Sequence, residues 1–281
     1  MDPAVGMAAL WLVFVGTHIG LTTRAIRTRL VARLGEWGFN LAFSAVAIVL
    51  FAVAVHYYAA HRGTGPAGLA LADVPLARGG LIGVIVIGTT LMVGSFATYS
   101  RSPYALFSSR PIDGPYGLER ITRHPFLVGV TLMALAHALL ARWMIGTVFG
   151  LGLALLGIAG SLHQDRKLLA RKGASYAAYL DATSAVPFAA IAAGRQRLVW
   201  RELPVTGLVA GLAITAGLRA VHDSIFASGG AWAIGVVTAS VSLITLETWL
   251  RVRRIRMPSA SPSVASPHGG ETTVHRRPLA G

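Results

Sequence analysis

Apolar and polar positions fall in long blocks along this chain, without the short alternation of a soluble strand or the one-sided stripe of a soluble helix. Apolar runs occupy Ala4–Leu21, Phe39–Ala60, Gly79–Tyr99, Pro125–Ala141, Trp143–Leu162, Pro204–Val221 and Gly230–Leu250. At about 1.5 Å rise per residue each is long enough, or nearly so, to cross roughly 30 Å of hydrocarbon as a helix. The pattern predicts an all-α, polytopic transmembrane bundle of about seven spans. The fourth and fifth runs meet at Arg142–Trp143, which predicts a tight antiparallel hairpin.

Polar residues between the runs give the bundle a direction. Under an arrangement with the N-terminus outside, the inner segments and the tail hold 21 Lys and Arg and the outer segments 3. That imbalance obeys the positive-inside rule only for an odd number of spans, so the C-terminus is expected in the cytoplasm. Arg24, Arg27, Arg29 and Arg33 follow the first run and no basic residue precedes it, so it reads as a retained span and not a secretory leader. The expected location is a bacterial inner membrane.

Composition agrees and removes several classes of function. The chain is 54% hydrophobic and 13% charged, with a mean hydropathy of +0.62. A net charge of +14 is carried by segments between apolar runs, so anionic lipid head groups are the expected counter-charge, and nucleic acid is not. With 0 cysteines, disulfides, thiolate metal sites and a cysteine nucleophile are excluded. Residues 1–250 read as one transmembrane domain and 251–281 as a basic, disordered cytoplasmic tail, while oligomeric state is left open. Segment 163–201 is the longest polar stretch and is expected to cap the cytoplasmic mouth, with the apolar Val186–Ile191 in the interface. Small-residue pairs Gly79/Gly83, Gly146/Gly150 and Gly207/Gly211 are expected at close helix crossings.

Polar groups inside lipid are costly, which makes each one a functional candidate. His18 lies in the first run, and His137 lies in the fourth on the stripe Gly129, Met133, His137. Neutral imidazoles in an apolar bundle suit haem iron; each could equally be satisfied by a neighbouring carbonyl. His56 and His222 approach the outer face, where water reaches them. Arg123 and His124 precede Pro125 at a helix start, a place for an acidic head group, a haem propionate or a plain cap. Carboxylates are nearly absent from the apolar runs, with Glu247 one turn from Arg251 at an inner edge. Paired-carboxylate catalysis is therefore disfavoured, and cofactor chemistry gains weight.

Three segments carry a family resemblance. Glu119-Arg-Ile-Thr-Arg-His-Pro-Phe-Leu-Val-Gly129 continues to Met133-Ala-Leu-Ala-His137. Asp165-Arg-Lys-Leu leads to Gly173, Thr183-Ser-Ala-Val-Pro-Phe-Ala-Ala-Ile191 and Gly194-Arg-Gln196. A weaker match joins Thr17-His-Ile-Gly20, Leu34-Gly-Glu36 and His61-Arg62. Together they resemble the NnrU family and its plastid and cyanobacterial relative, 15-cis-ζ-carotene isomerase. Arg-His-Pro alone also occurs in membrane methyltransferases of the isoprenylcysteine type; the Ala-His and Thr-Ser-x-x-Pro-Phe-Ala-Ala elements separate this chain from them.

The resemblance implies an integral membrane haem b protein that isomerises the 15-cis double bond of a hydrophobic polyene under redox control. It implies axial ligation of the iron, and catalysis, by His18 and His137; the helix start at Arg123 and His124 is expected to help hold the cofactor. The isomerase's cysteine three residues before its second histidine is replaced by Ala134. Two alternatives stand beside it: an accessory role in nitrite and nitric oxide metabolism, and an isoprenoid or lipid methyltransferase. From span ends, the depths of His18 and His137 are expected to differ by about 9 Å in a layer of about 30 Å.

Overall fold

The computed structural model describes residues 2–105 and 111–256. Nine α-helices follow in order among them: α1 Pro3–Gly20, α2 Arg24–His61, α3 Pro75–Thr98, α4 Pro125–Leu140, α5 Met144–Lys172, α6 Ala174–Ala182, α7 Ala189–Ala192, α8 Val205–Ala220 and α9 Ala231–Arg256. No strand occurs among the described residues. Four helical stretches, α1, α2, α5 and α3 with its following turn to Arg101, are long and apolar enough to cross a membrane. α4, α8 and 231–243 of α9 are shorter apolar helices, and each apolar run read from the sequence overlaps one of these seven. The described helices are those of a membrane protein. Glu247 and Arg251, like the basic tail from 257 onward, lie outside the described side chains.

Helix ends follow local chemistry. Asp2 caps α1, its carboxylate accepting from the Ala4 N–H at 2.8 Å, with Pro3 supplying a preset φ at the first turn. α2 is two helices joined at Gly35, whose φ of 70° lies where a side chain would be strained. The break separates the Arg-rich 24–34 from the apolar 36–61, and Arg27 spans it with an ion pair to Glu36 at 2.6 Å. Only Ala141 to Trp143 separate α4 from α5. That turn is stapled to the loop after α2 by Gly68 N–H to Arg142 O, at 2.8 Å, and Met144 N–H to Pro66 O, at 2.9 Å.

Successive neighbours across the bundle run α9, α2, α1, α5, α4, α3, α8. Small residues set the spacing of the inner crossings. A Cβ on Gly88 would stand 2.7 Å from the Gly129 carbonyl oxygen, and one on Gly150 would stand 2.7 Å from that of Ala134. Gly146/Gly150 and Gly207/Gly211 sit at such crossings as expected, whereas Gly79 and Gly83 face open space. Met7, Trp11, Phe14 and Ile145 form an apolar core between α1 and α5. The far end of the bundle carries Arg142, His137 and His222; the basic end carries α6, α7 and the segment 117–124.

Candidate functional site

The densest polar assembly lies at the basic end, where the α4/α5 hairpin brings the start of α4 against the end of α5. Asp165 is its centre. Oδ2 accepts from Arg123 Nε at 2.9 Å and Nη2 at 2.7 Å; Oδ1 accepts from His124 Nε2 at 2.9 Å and Tyr176 Oη at 2.6 Å. The Tyr104 hydroxyl completes the ring, 2.7 Å from Tyr176 Oη and 3.2 Å from Asp165 Oδ1. Burial pushes the hydroxyls of Tyr104 and Tyr176 well above the usual tyrosine range, so both stay protonated and donate.

This cluster takes up the two halves of the sequence motif together. Arg123 N–H donates to Ser184 O at 2.8 Å, Thr122 Oγ1 to Ala185 O at 2.7 Å, and Phe188 N–H to Ile121 O at 2.8 Å. The last bond holds Phe188 at φ 62°, and places Val186 and Phe188 exposed beside the mouth. Behind them, Arg120 forms a two-pronged pair with Glu202 at 2.7 and 2.9 Å and reaches Gln196 Oε1 at 3.0 Å. Segment 163–201 thus caps the basic end of the bundle.

Two buried carboxylates here were not singled out from the sequence. Asp165 is one. Glu119, 4% exposed, is the other; its carboxyl lies beside the hydroxyls of Ser102 and Tyr179. Desolvation raises the Glu119 carboxyl above its ordinary range. Hairpin symmetry was the available signal. α4 and α5 pair Ala134 with Gly150 and Leu127 with Gly157, and continuing that antiparallel pairing carries His124 to the neighbourhood of Asp165.

Arg123 and His124 are therefore brought together, but onto Asp165. His124 is 3% exposed and its Nε2 is occupied. Arg123 likewise spends its Nε and Nη2 on Asp165.

His18 and His137 are not brought together. α1 and α5 run parallel: Trp11 packs on Gly152, and Thr22 Oγ1 lies 3.2 Å from His163 Nε2. α4 runs antiparallel to α5, with Thr147 Oγ1 donating to Ala138 O at 3.1 Å. On that ruler His18 is level with about residue 159 of α5 and His137 with about residue 148, an axial separation of roughly 16 Å. α5 also stands between their helices. One iron holds two imidazole nitrogens about 4 Å apart, so the pair does not fit a single haem in this chain. The His18 ring sits between Phe14 and Phe43, at 5.4 and 4.8 Å between centroids. Its Nδ1 is buried without a partner, beside a cleft of Thr17, Leu21, Phe43, Val46 and Ala47 too narrow for a water molecule. His137 is exposed at the far end, its Nδ1 bound to Met133 O at 2.8 Å. Among the described residues no group of three or more His, Asp or Glu could hold a metal ion.

A family profile described as NnrU protein matches residues 6–246. The chain is 31% identical over 231 residues to a protein named 15-cis-zeta-carotene isomerase, chloroplastic, from Arabidopsis thaliana, covering 79% of this chain and 60% of that relative. It is 29% identical over 203 residues to a protein of the same name from Zea mays, covering 69% of this chain and 52% of that one. The chain thus spans little more than half the length of these curated relatives, and no solved structure matches it. The profile covers the apolar helices and the whole basic-end cluster, and the chain belongs to the NnrU family.

Proposed function

We propose that this chain is a membrane-embedded cis–trans isomerase acting on the 15-cis bond of ζ-carotene or a related polyene. The observation that carries the proposal is the likeness to two proteins named for that activity over most of this chain. The shape of α4 supports it. Phe126, Val130, Met133 and His137 follow at helical spacing along one stripe, with Phe126 and His137 exposed and Phe96 of α3 edge-on to Phe126 at 5.5 Å. A polyene dissolved among lipid tails would lie along such a stripe without leaving hydrocarbon, and His137 is the polar group that it would meet. The residues here bind and orient the substrate and keep water from it. Since His18 and His137 do not fit one haem, the proposal rests on substrate binding from the lipid phase.

We further propose that the basic end faces the cytoplasm of a bacterial inner membrane, with the N-terminus outside, because the Lys and Arg imbalance favours that orientation.

The test is conversion of 9,15,9′-tri-cis-ζ-carotene by the full chain in detergent, in darkness, read by chromatography. The proposal expects loss of the 15-cis bond; no conversion by folded protein overturns it.

A further inference from the structure

The short helix 24–34, which plays no part in the proposed function, folds back on the spanning part of α2. A straight helix would hold Arg27 and Phe39 about 18 Å apart along its axis. With the break at Gly35, the Arg27 guanidinium instead lies 5.3 Å from the centre of the Phe39 ring and pairs with Glu36. That contact fixes which face of the short helix meets the bundle. Ile26, Arg29, Leu30 and Arg33, spaced at i, i+3, i+4 and i+7, form a stripe on another face and border a hollow of about 290 Å³.

The charge on this stripe is not balanced from within the chain. Arg29 and Arg33 are exposed and enter no ion pair or hydrogen bond among the described residues. Four apart on one helix they are neighbours, and like charges at that spacing repel. Glu36 is the one carboxylate between Asp2 and Asp73, and Arg27 holds it at 2.6 Å. The end of α5 adds cations and no acid to spare: Lys167 lies among Arg27, Arg171 and Glu36. Ile26, 41% exposed, and the half-buried Leu30 set apolar surface directly beside the two guanidiniums. Such a stripe matches a ligand with phosphate at one end and hydrocarbon at the other, because Arg takes phosphate through paired N–H donors. The short helix continues into the apolar part of α2, so that ligand reaches the stripe without leaving the membrane.

We propose that the stripe Ile26, Arg29, Leu30 and Arg33 is a binding site for one anionic phospholipid, with the head-group phosphate on Arg29 and Arg33 and the acyl chains against Ile26 and Leu30. The site stands apart from the isomerase reading, because its test involves no polyene.

Full-length protein in detergent is titrated with dioleoylphosphatidylglycerol, and separately with phosphatidylcholine of the same chains, and bound lipid is counted by native mass spectrometry. The expected result is one phosphatidylglycerol retained per chain at concentrations that leave phosphatidylcholine unbound. Arg29→Gln with Arg33→Gln should weaken that binding about tenfold or more. Arg24→Gln with Arg166→Gln removes the same charge off the stripe and should change it by less than about twofold. Glycerol 3-phosphate and inorganic phosphate, which lack acyl chains, should not displace the lipid. An equal loss in the two double variants would reduce the effect to net charge, and displacement by either soluble phosphate would make this a site for free anions; each overturns the proposal. So does undiminished binding in Arg29→Gln with Arg33→Gln, or equal retention of phosphatidylcholine. Both arginines are exposed, so the double variants are expected to elute from gel filtration as wild type does. Arg33→Gln alone, a smaller change, should still weaken binding about threefold or more, and no change there also overturns the proposal.

Discussion

The two ends of this bundle use the same residue types in opposite ways. At the basic end His124 is buried and bonded, and Arg123, Asp165, Tyr104 and Tyr176 satisfy one another. At the far end His137 and His222 are exposed, and their rings lie 6.3 Å apart between centroids. A histidine's availability is set by its partners, and the more eye-catching motif, Arg-His-Pro, is the less available. The basic end behaves as scaffold: it ties the start of α4, the end of α5, α6 and the 184–188 turn into one unit. The proposed function places the arrival of a substrate from lipid at the far end.

The strongest way to break this contrast is to remove the centre of the scaffold. Asp165→Ala strands a half-buried Arg123 and leaves the buried His124 and Tyr176 without their acceptor, so thermal unfolding in detergent should show a loss of about 3–5 kcal/mol. A loss below about 1 kcal/mol would show the cluster to be wet and loosely held. Next in size is a bundle crossing: Gly129→Val would press a side chain onto the α3 backbone at Gly88 and should cost about 1–3 kcal/mol by the same measurement. At the far end, Arg142→Ala removes a pair to Asp73 of 2.7 Å whose side chains are 71% and 56% exposed, and should change stability by under about 1 kcal/mol.

The smallest effect concerns pH. The Glu119 carboxyl is raised by burial above the 4.5 of a free group. The native state therefore holds that proton longer than the unfolded chain does. Its contribution is fully present below about pH 4.5 and is lost as pH rises through the raised value. Glu119→Gln should remove that slope, making the variant relatively more stable at pH 8 than at pH 5. Parallel melting curves for the two proteins across this range would contradict it.

Much of the fold was legible because a membrane helix is written in one contiguous run. The predicted Pro125–Ala141 appears as Pro125–Leu140, and the hairpin at Arg142–Trp143 is where it was expected. Ends set by polar contacts were harder to read. α5 runs on past Leu162 to Lys172, because Asp165 and Leu168 are buried against α6 and the 99–105 turn. α2 begins at Arg24 because Gly35 lets an interfacial helix join a spanning one. Of the site, Arg123 and His124 were found but their partner was not, since Asp165 lies 41 residues away and meets them only once the hairpin has formed. The nearness of His222 to His137 depends on how α8 packs on α3, which no single segment encodes.

The division of labour between the two ends can be tested in one comparison. Full-length protein, His137→Ala and Tyr104→Phe are assayed in darkness for conversion of 9,15,9′-tri-cis-ζ-carotene, with folding of each verified by gel filtration. Tyr104→Phe removes one hydroxyl from the scaffold while the Arg123, His124 and Tyr176 bonds to Asp165 remain, and it should keep activity within about twofold. His137→Ala empties the polar end of the α4 stripe and should lower conversion by about tenfold or more. Activity lost in Tyr104→Phe and kept in His137→Ala would put the chemistry at the basic end and contradict this account.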